Sequence, residues 1–590
     1  MNGAEIPNHE LMAHALSNTA SEENGNSFYV RRGSAFINEY ARVDPISKQR
    51  YDGGPSNANH LLGSFPTLFP YGLGGFEVGR PLNVPYELHA RWALRYGDKR
   101  FRLNHQFVFQ IFGVMQKRAI CRSARLYVQK NFYLQNETSI RKLKSSDFVQ
   151  ASHEETRKEK ISNPVIRELQ RHVTAIRIKV QGTDEARRTI RNKIWGTILM
   201  FNGPSLWITI NPSDIHDPIA QVLTGCDIDL DNFVQNAGPN NKQRAINIAK
   251  DPYAAAKFFN FIIAAILECL FGIKQTTKDG VIQRRSGILG TVNAYVGTVE
   301  AQGRGTLHLH LLVWLAGAPP DSVIQKCLTE ESFRQKVCSF IASNIHADLP
   351  VSDYLESTTI SESTSDLSYS RPLHPDSEQY EEECNILESK LARNLQYHRC
   401  NEKTCRWNKG TSEKCKRGAP FKKAIDNWVD SDGENGPRRL SGWLNSWNPH
   451  ILLCGRCNHD IKCLIGGTWT KALVWYITAY ATKKRKSSSN TSALLAKRFA
   501  FNDLKVAPVN SAEKSKEANS RLLQRCANAL SRDQEFSAPE VISLIMGWKD
   551  HFISHNYVPI YLDSALRAIK RVFTQFNNKR YIFLTFENKK

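Results

Sequence analysis

The sequence predicts an α+β fold, and three stretches carry that prediction. The first is EAQGRGTLHLHLLVW at 300–314, where apolar residues surround His308 and His310. Side chains on a strand alternate between faces, so both histidines point one way and Leu309 the other. The second is SLWITINP at 205–212, whose alternation reads as a half-buried strand lying beside the first. The third is KALVWYITAYATKKRK at 471–486, where Tyr476 and Tyr480 are four apart and so share a helix face. Lys483 and Lys484 follow on the next turn.

Each stretch has a chemical reading and a packing one. Two neutral imidazoles side by side on a rigid strand form a ligand pair for one divalent metal. The alternative is a core strand that happens to carry two histidines. Gly303 and Gly305 supply a turn before the strand, and Arg304 between them is available for an anion. A tyrosine hydroxyl has an unperturbed pKa of about 10 and is a poor nucleophile until a cation or a base assists it. A histidine-held metal and the two lysines would supply that cationic field. The alternative is an aromatic helix face buried in the core. Trp314, Trp469 and Trp475 lie near basic residues and either stack on bases or fill the core.

The remaining elements follow in chain order. Residues 1–57 are polar and read as flexible, and their lack of an apolar core argues against a signal peptide. Residues 58–200 read as mainly helical and strongly basic, their cations either tracking a phosphate backbone or forming solvated faces. A helix is predicted over 252–273, with Asp251 as N-cap and Pro252 in the first turn. Its apolar run is interrupted by Asn260 and Glu268 and is short for a bilayer span, so it reads as buried. GILGTVNAYVGTVEAQ at 287–302 is strand-like. The acidic, Ser-rich stretch 350–386 reads as a disordered or mobile loop. A Ser-rich linker at 486–492 precedes a helical segment at 500–570.

Composition narrows the function. A chain of 590 residues implies several domains, since single cores rarely exceed about 250–300 residues. The formal charge of +22 points to a polyanionic partner, most often nucleic acid. Ribosomal, chromatin and membrane-surface proteins share that bias. In an intracellular protein, thirteen cysteines are expected to be mostly reduced, so clusters mean metal more readily than disulfides. His398, Cys400, Cys405 and Cys415, within 397–421, offer one imidazole and three thiolates, a set that suits structural zinc. The alternative is loop cysteines with no ligand. A second group, Cys454, Cys457, His459 and Cys463, ranks below it.

HLHLLVW together with YITAYATKK resembles the HUH endonuclease arrangement: two histidines around a bulky residue, then a two-tyrosine helix. More specifically, the chain resembles the N-terminal, replication-initiator-like region of Helitron transposon proteins. FPTLFPYGLGG at 65–75, RFRLNHQFVFQIFGVMQKR at 100–118 and GPSLWITINPSDIHDP at 203–218 agree with that family. CNHDIKCL at 457–464 and LSRDQEFSAPEVISLIMGW at 530–548 agree as well, in the expected order. The resemblance spans residues 58–560.

The resemblance implies an antiparallel sheet carrying the histidines, helices over one face, and the tyrosine helix lying across the sheet above the metal. It implies a basic DNA-binding region at 58–200, an endonuclease-like domain at 201–500 with the zinc module at 397–421, and a helical extension at 501–590. The implied activity is metal-dependent nicking and rejoining of single-stranded DNA at transposon ends, through a 5′-phosphotyrosine, in rolling-circle transposition. Mg²⁺ or Mn²⁺ would sit on His308 and His310, with Glu300 or Gln302 as third ligand. Tyr476 or Tyr480 would attack, Lys483 would assist, and Arg304 and Lys484 would contact DNA. The N-H-D-I part of the second cysteine group would be a strand whose polar residues serve the site. The alternatives are an inactive single-strand-binding remnant and a zinc-stabilised interaction module. The family continues into a helicase, whose phosphate loop ends in Gly-Lys-Ser/Thr. GLGGFEVGRP at 72–81 lacks the lysine and hydroxyl, so no ATP hydrolysis is expected, and the chain reads either as a transposase fragment truncated before the helicase or as one half of a split system with a separate helicase as partner. KKRK at 483–486 is a weak nuclear signal, and the nucleus is the expected location.

Overall fold

A computed structural model describes residues 61–572 apart from 62–63, 72, 77–80, 83, 129–130, 235, 276–281, 303–304, 351–366, 401–404, 406–414, 416, 466–474, 476–477, 479–489, 497–511, 549, 558–567 and 570. The main elements are α1 (Tyr86–Leu94), α2 (His105–Tyr127), α3 (Pro164–Arg177), α4 (Asp184–Phe201) and β1 (Leu206–Asn211). They continue with α5 (Pro252–Ala265), β2 (Val292–Ala301), β3 (Leu307–Leu315), α6 (Tyr380–Leu395) and α7 (Pro449–Gly455). The last are β4 (Asn458–Cys463), α8 (Ala512–Arg532), α9 (Ala538–Met546) and β5 (His551–Ile553).

Local chemistry starts these helices. Asn104, Asn163, Thr183 and Asp251 each cap a helix by accepting a backbone N–H of its first turn. Proline occupies the opening turn of α3 and α5, where its missing N–H costs nothing. In α3 the buried Ile166, Leu169, Val173 and Ile176 recur at helical spacing and make one apolar stripe. They pack with Leu522 and Leu523 of α8 in a core of their own.

Five antiparallel strands form the sheet in the order β4-β1-β3-β2-β5. The histidine strand β3 is central, which explains its near-continuous burial. Leu307, Leu309, Leu311 and Val313 face α5 and α9 in the largest core, with Phe259, Ile263, Val541 and Ile545. That core also takes in Tyr86 of α1 and Phe107 and Ile111 of α2. The N-terminal helices therefore share a core with the sheet. Pro252–Leu270 is long and apolar enough to cross a membrane by composition, yet Phe259 and Ile263 lie inside this core, as expected of a buried helix.

The opposite face is covered at one end by α4, whose Ile190 and Ile194 pack on Ala294, Val296, Leu312 and Trp314. Trp314 is buried and donates its indole N–H to the Asn202 carbonyl (2.8 Å), so it is core. Further along, the same face turns polar. One row crosses all five strands: Asp460, Thr209, His310, Thr298 and His551.

Three expectations are corrected. Helices cover both faces of the sheet, because α4 has an apolar stripe of its own to bury. The stretch after 501 is not purely helical, since β5 adds to the outer edge of β2. The stretch 350–386 is helical from Tyr380, where Glu381, Glu382 and Glu383 favour the positive end of the helix dipole. Leu387, Leu391 and Leu395 then bury that helix against Trp447 and Leu452.

Candidate metal centres

The β2–β3 register places Glu300 opposite His308 and Thr298 opposite His310. Directly paired residues project from the same face of a sheet, so the carboxylate and both imidazoles meet. The Nε2 atoms of His308 and His310 lie 3.1 Å apart, and Glu300 Oε2 is 3.6 and 3.4 Å from them. Two donors about 2.1 Å from an octahedral ion and at right angles stand roughly 3.0 Å apart. The three atoms are therefore close to the spacing of ligands around one cation.

The neighbours prepare the imidazoles for that role. Thr209 on β1 holds His310, its hydroxyl oxygen 3.0 Å from Nδ1. With Nδ1–H donating to that oxygen, the Nε2 lone pair is left facing Glu300 and His308. His308 is buried, and its Nδ1 has no hydrogen-bond partner. Burial first, then the adjacent His310, pushes its pKa down to about 4. Neutral imidazole is the form that binds metal.

Gln302 stands apart from this triad. It is exposed and donates its amide to Asn211 Oδ1 (3.2 Å). The turn between the strands is closed by Gln302 N–H to Thr306 O (2.9 Å) and by Gly305 at φ +84°, where a side chain would be strained. Arg304 and Gly303 lie outside the described residues, as do Tyr476, Tyr480, Lys483, Lys484 and Trp469. Trp475 and Thr478 are described and helical. Thr478 is fully buried and donates to the Trp475 carbonyl (2.9 Å). Trp475 is half exposed beneath the guanidinium of Arg191, 5.0 Å from its ring centre. Arg191 belongs to α4, the helix on the histidine-bearing face.

The second centre joins four residues separated by up to seventeen positions. His398 Nε2 lies 3.2 Å from Cys415 Sγ, 3.3 Å from Cys400 Sγ and 3.7 Å from Cys405 Sγ. A nitrogen about 2.0 Å and a sulfur about 2.3 Å from a tetrahedral zinc stand roughly 3.5 Å apart. All four ligand atoms lie within 4.8 Å of one another, so this cluster can hold a zinc-like ion. His398 is set by its backbone N–H donating to Trp443 O (2.7 Å). Cys454, Cys457, His459 and Cys463 form no such group among the described residues. Instead, His459 accepts the Asn448 backbone N–H at Nε2 (2.9 Å), and burial pushes the Cys457 and Cys463 thiols up to about 12.

A run of amides joins the two centres. Gln396, two residues before His398, accepts from Asn458 Nδ2 (3.1 Å), and Asn458 Oδ1 accepts from Asn211 Nδ2 (3.0 Å). Asn211 in turn accepts from Gln302. Sequence reasoning missed Thr209 and Asn211. Their signal was available in WITIN, where Thr209 and Asn211 alternate with Ile208 and Ile210 and so face one side.

No curated protein and no solved structure matches this chain. Residues 89–313, which run from α1 through the histidine strand, match the family model described as the Helitron helicase-like domain at the N-terminus. That match covers the strands that assemble the Glu300–His308–His310 triad, so the part of the chain carrying the triad is similar to the N-terminal domain of Helitron transposon proteins.

Proposed function

We propose that this protein nicks and rejoins single-stranded DNA in the manner of an HUH endonuclease, acting in the nucleus on transposon ends. The observation that carries the reading is the convergence of Glu300, His308 and His310 on one polar face of a rigid sheet. These three residues would hold Mg²⁺ or Mn²⁺, with Gln302 close enough in sequence to exchange with Asn211 as a further donor. When bound, the ion would draw charge from the non-bridging oxygens of a phosphodiester.

The nucleophile in this reading is Tyr476 or Tyr480. Its phenolate oxygen bonds to phosphorus, the bond from phosphorus to the 3′ oxygen breaks, and the released 3′ oxygen takes up a proton. A phosphodiester is exchanged for a phosphotyrosine, so a new 3′-hydroxyl can reverse the step. Lys483 would stabilise the phenolate. The contact of Trp475, the residue before Tyr476, with Arg191 of α4 on the histidine side supports this reading. The His398–Cys400–Cys405–Cys415 cluster is read as structural zinc.

Covalent capture tests the proposal. The whole chain is mixed with labelled single-stranded oligonucleotides and Mn²⁺, then denatured and resolved. The expected result is an adduct absent from His308→Ala and from the Tyr476→Phe, Tyr480→Phe double variant. Salt-sensitive binding without any adduct would select the inactive DNA-binding remnant instead.

A further inference from the structure

Away from both metal centres, α2 and α8 diverge around a cleft of about 410 Å³. Phe109, Phe112, Lys117, Asn528, Arg532 and Phe536 line it, and no carboxylate is among its lining residues. Phe112 and Phe536 meet edge to face, with ring centres 5.1 Å apart, and form an apolar floor. Phe109 stands 40% exposed at the mouth. Arg532 is exposed at the last turn of α8, and Lys117 is half-buried facing it. Burial, then the charge of Arg532, pulls the Lys117 ammonium down to about 8, so the pair favours an anion between them. Cations beside aromatic faces are the elements by which proteins hold single-stranded nucleic acid: phosphate on the charges, base on the rings.

One end of the cleft lies near the turn that precedes the histidine strand. Phe536 is followed by Ser537, the cap of α9. Ser537 Cβ lies 3.5 Å from where a Cβ on Gly305 would stand, so it is near the turn that leads into β3.

We propose that this cleft holds one nucleotide of the DNA strand, its phosphate between Lys117 and Arg532 and its base against Phe109, beside the stretch that crosses the metal triad. This rests on the single-stranded-DNA reading above, but not on the nicking chemistry.

The test measures binding of fluorescent oligodeoxythymidylates of graded length to the whole chain in EDTA, over a range of salt. Arg532→Gln is exposed enough to leave folding intact, which circular dichroism checks. It should weaken binding of long oligonucleotides on the order of tenfold and reduce the salt slope by about 0.7. Phe109→Ala should weaken binding on the order of tenfold with an unchanged salt slope. Arg532→Lys should restore most of the loss. Wild-type affinity and slope in Arg532→Gln and Phe109→Ala would overturn the proposal, as would equal affinity for thymidine monophosphate. The two readings fail separately. No Mn²⁺-dependent adduct, with binding lost in these variants, sinks nicking and leaves the cleft. An adduct with unchanged binding does the reverse.

Discussion

The Thr209 hydroxyl lies 3.0 Å from His310 Nδ1, while His310 Nε2 is the nitrogen that approaches Glu300. As acceptor of an Nδ1–H, that hydroxyl would leave the Nε2 lone pair to a metal. Thr209→Val keeps the shape and removes that partner, so Mn²⁺ affinity should fall roughly 10- to 100-fold by titration calorimetry. Unchanged affinity would show that the tautomer is set elsewhere. His459 makes a second residue-scale case, this time about stability. It is fully buried, accepts the Asn448 N–H, and burial pushes its pKa down to about 4. The unfolded chain, near 6.5, binds the proton more readily. Its contribution is therefore complete above about pH 6.5 and is lost as pH falls toward 4. The drop in melting temperature between pH 7 and pH 5 should be smaller in His459→Gln than in the wild type. Equal drops would refute the assignment.

At the scale of elements, the alternation in β3 does two jobs at once. His308 and His310 face the polar side while Leu309 and Leu311 enter the largest core. Leu309→Ala should cost roughly 2–5 kcal/mol in denaturant unfolding, through lost transfer energy and the cavity left behind. A loss below about 1 kcal/mol would mean that the core collapses around the gap. This strand was legible because a period of two is written in adjacent residues. So was the helix at Pro252, through its Asp251 cap and proline. Strand β5 was not legible, since three residues are too few for a pattern and its place depends on the free edge of β2. Nor was the start of α6, where acidic residues suited to a helix N-terminus read as a solvated loop.

For the whole molecule, the amide run through Gln396, Asn458, Asn211 and Gln302 links the segment that carries His398 to the edge strand β4 and to β1, the strand of Thr209. Cys405→Ser should abolish stoichiometric zinc in atomic absorption and lower the melting temperature on the order of 5 °C. Retained zinc would point to another ligand set. The charge of +22 already argued for a polyanion, but charge has no address. Only folding brings Lys117 and Arg532 together across α2 and α8, 415 residues apart in sequence (532 − 117), beside three phenylalanines.

What the chain wrote locally was readable without the fold: the paired histidines, the zinc-type ligand set, the capped helices and the basic balance. Residue type and short-range spacing determine those features, because each is set by side-chain chemistry and by neighbours a few positions away. The tertiary structure decided that Glu300 joins the imidazoles while Gln302 turns to Asn211, that α4 covers the histidine face, and that the C-terminal segment completes the sheet. Those outcomes depend on strand register and on which apolar stripe buries which. Both are settled between residues far apart in sequence, where no local pattern reaches.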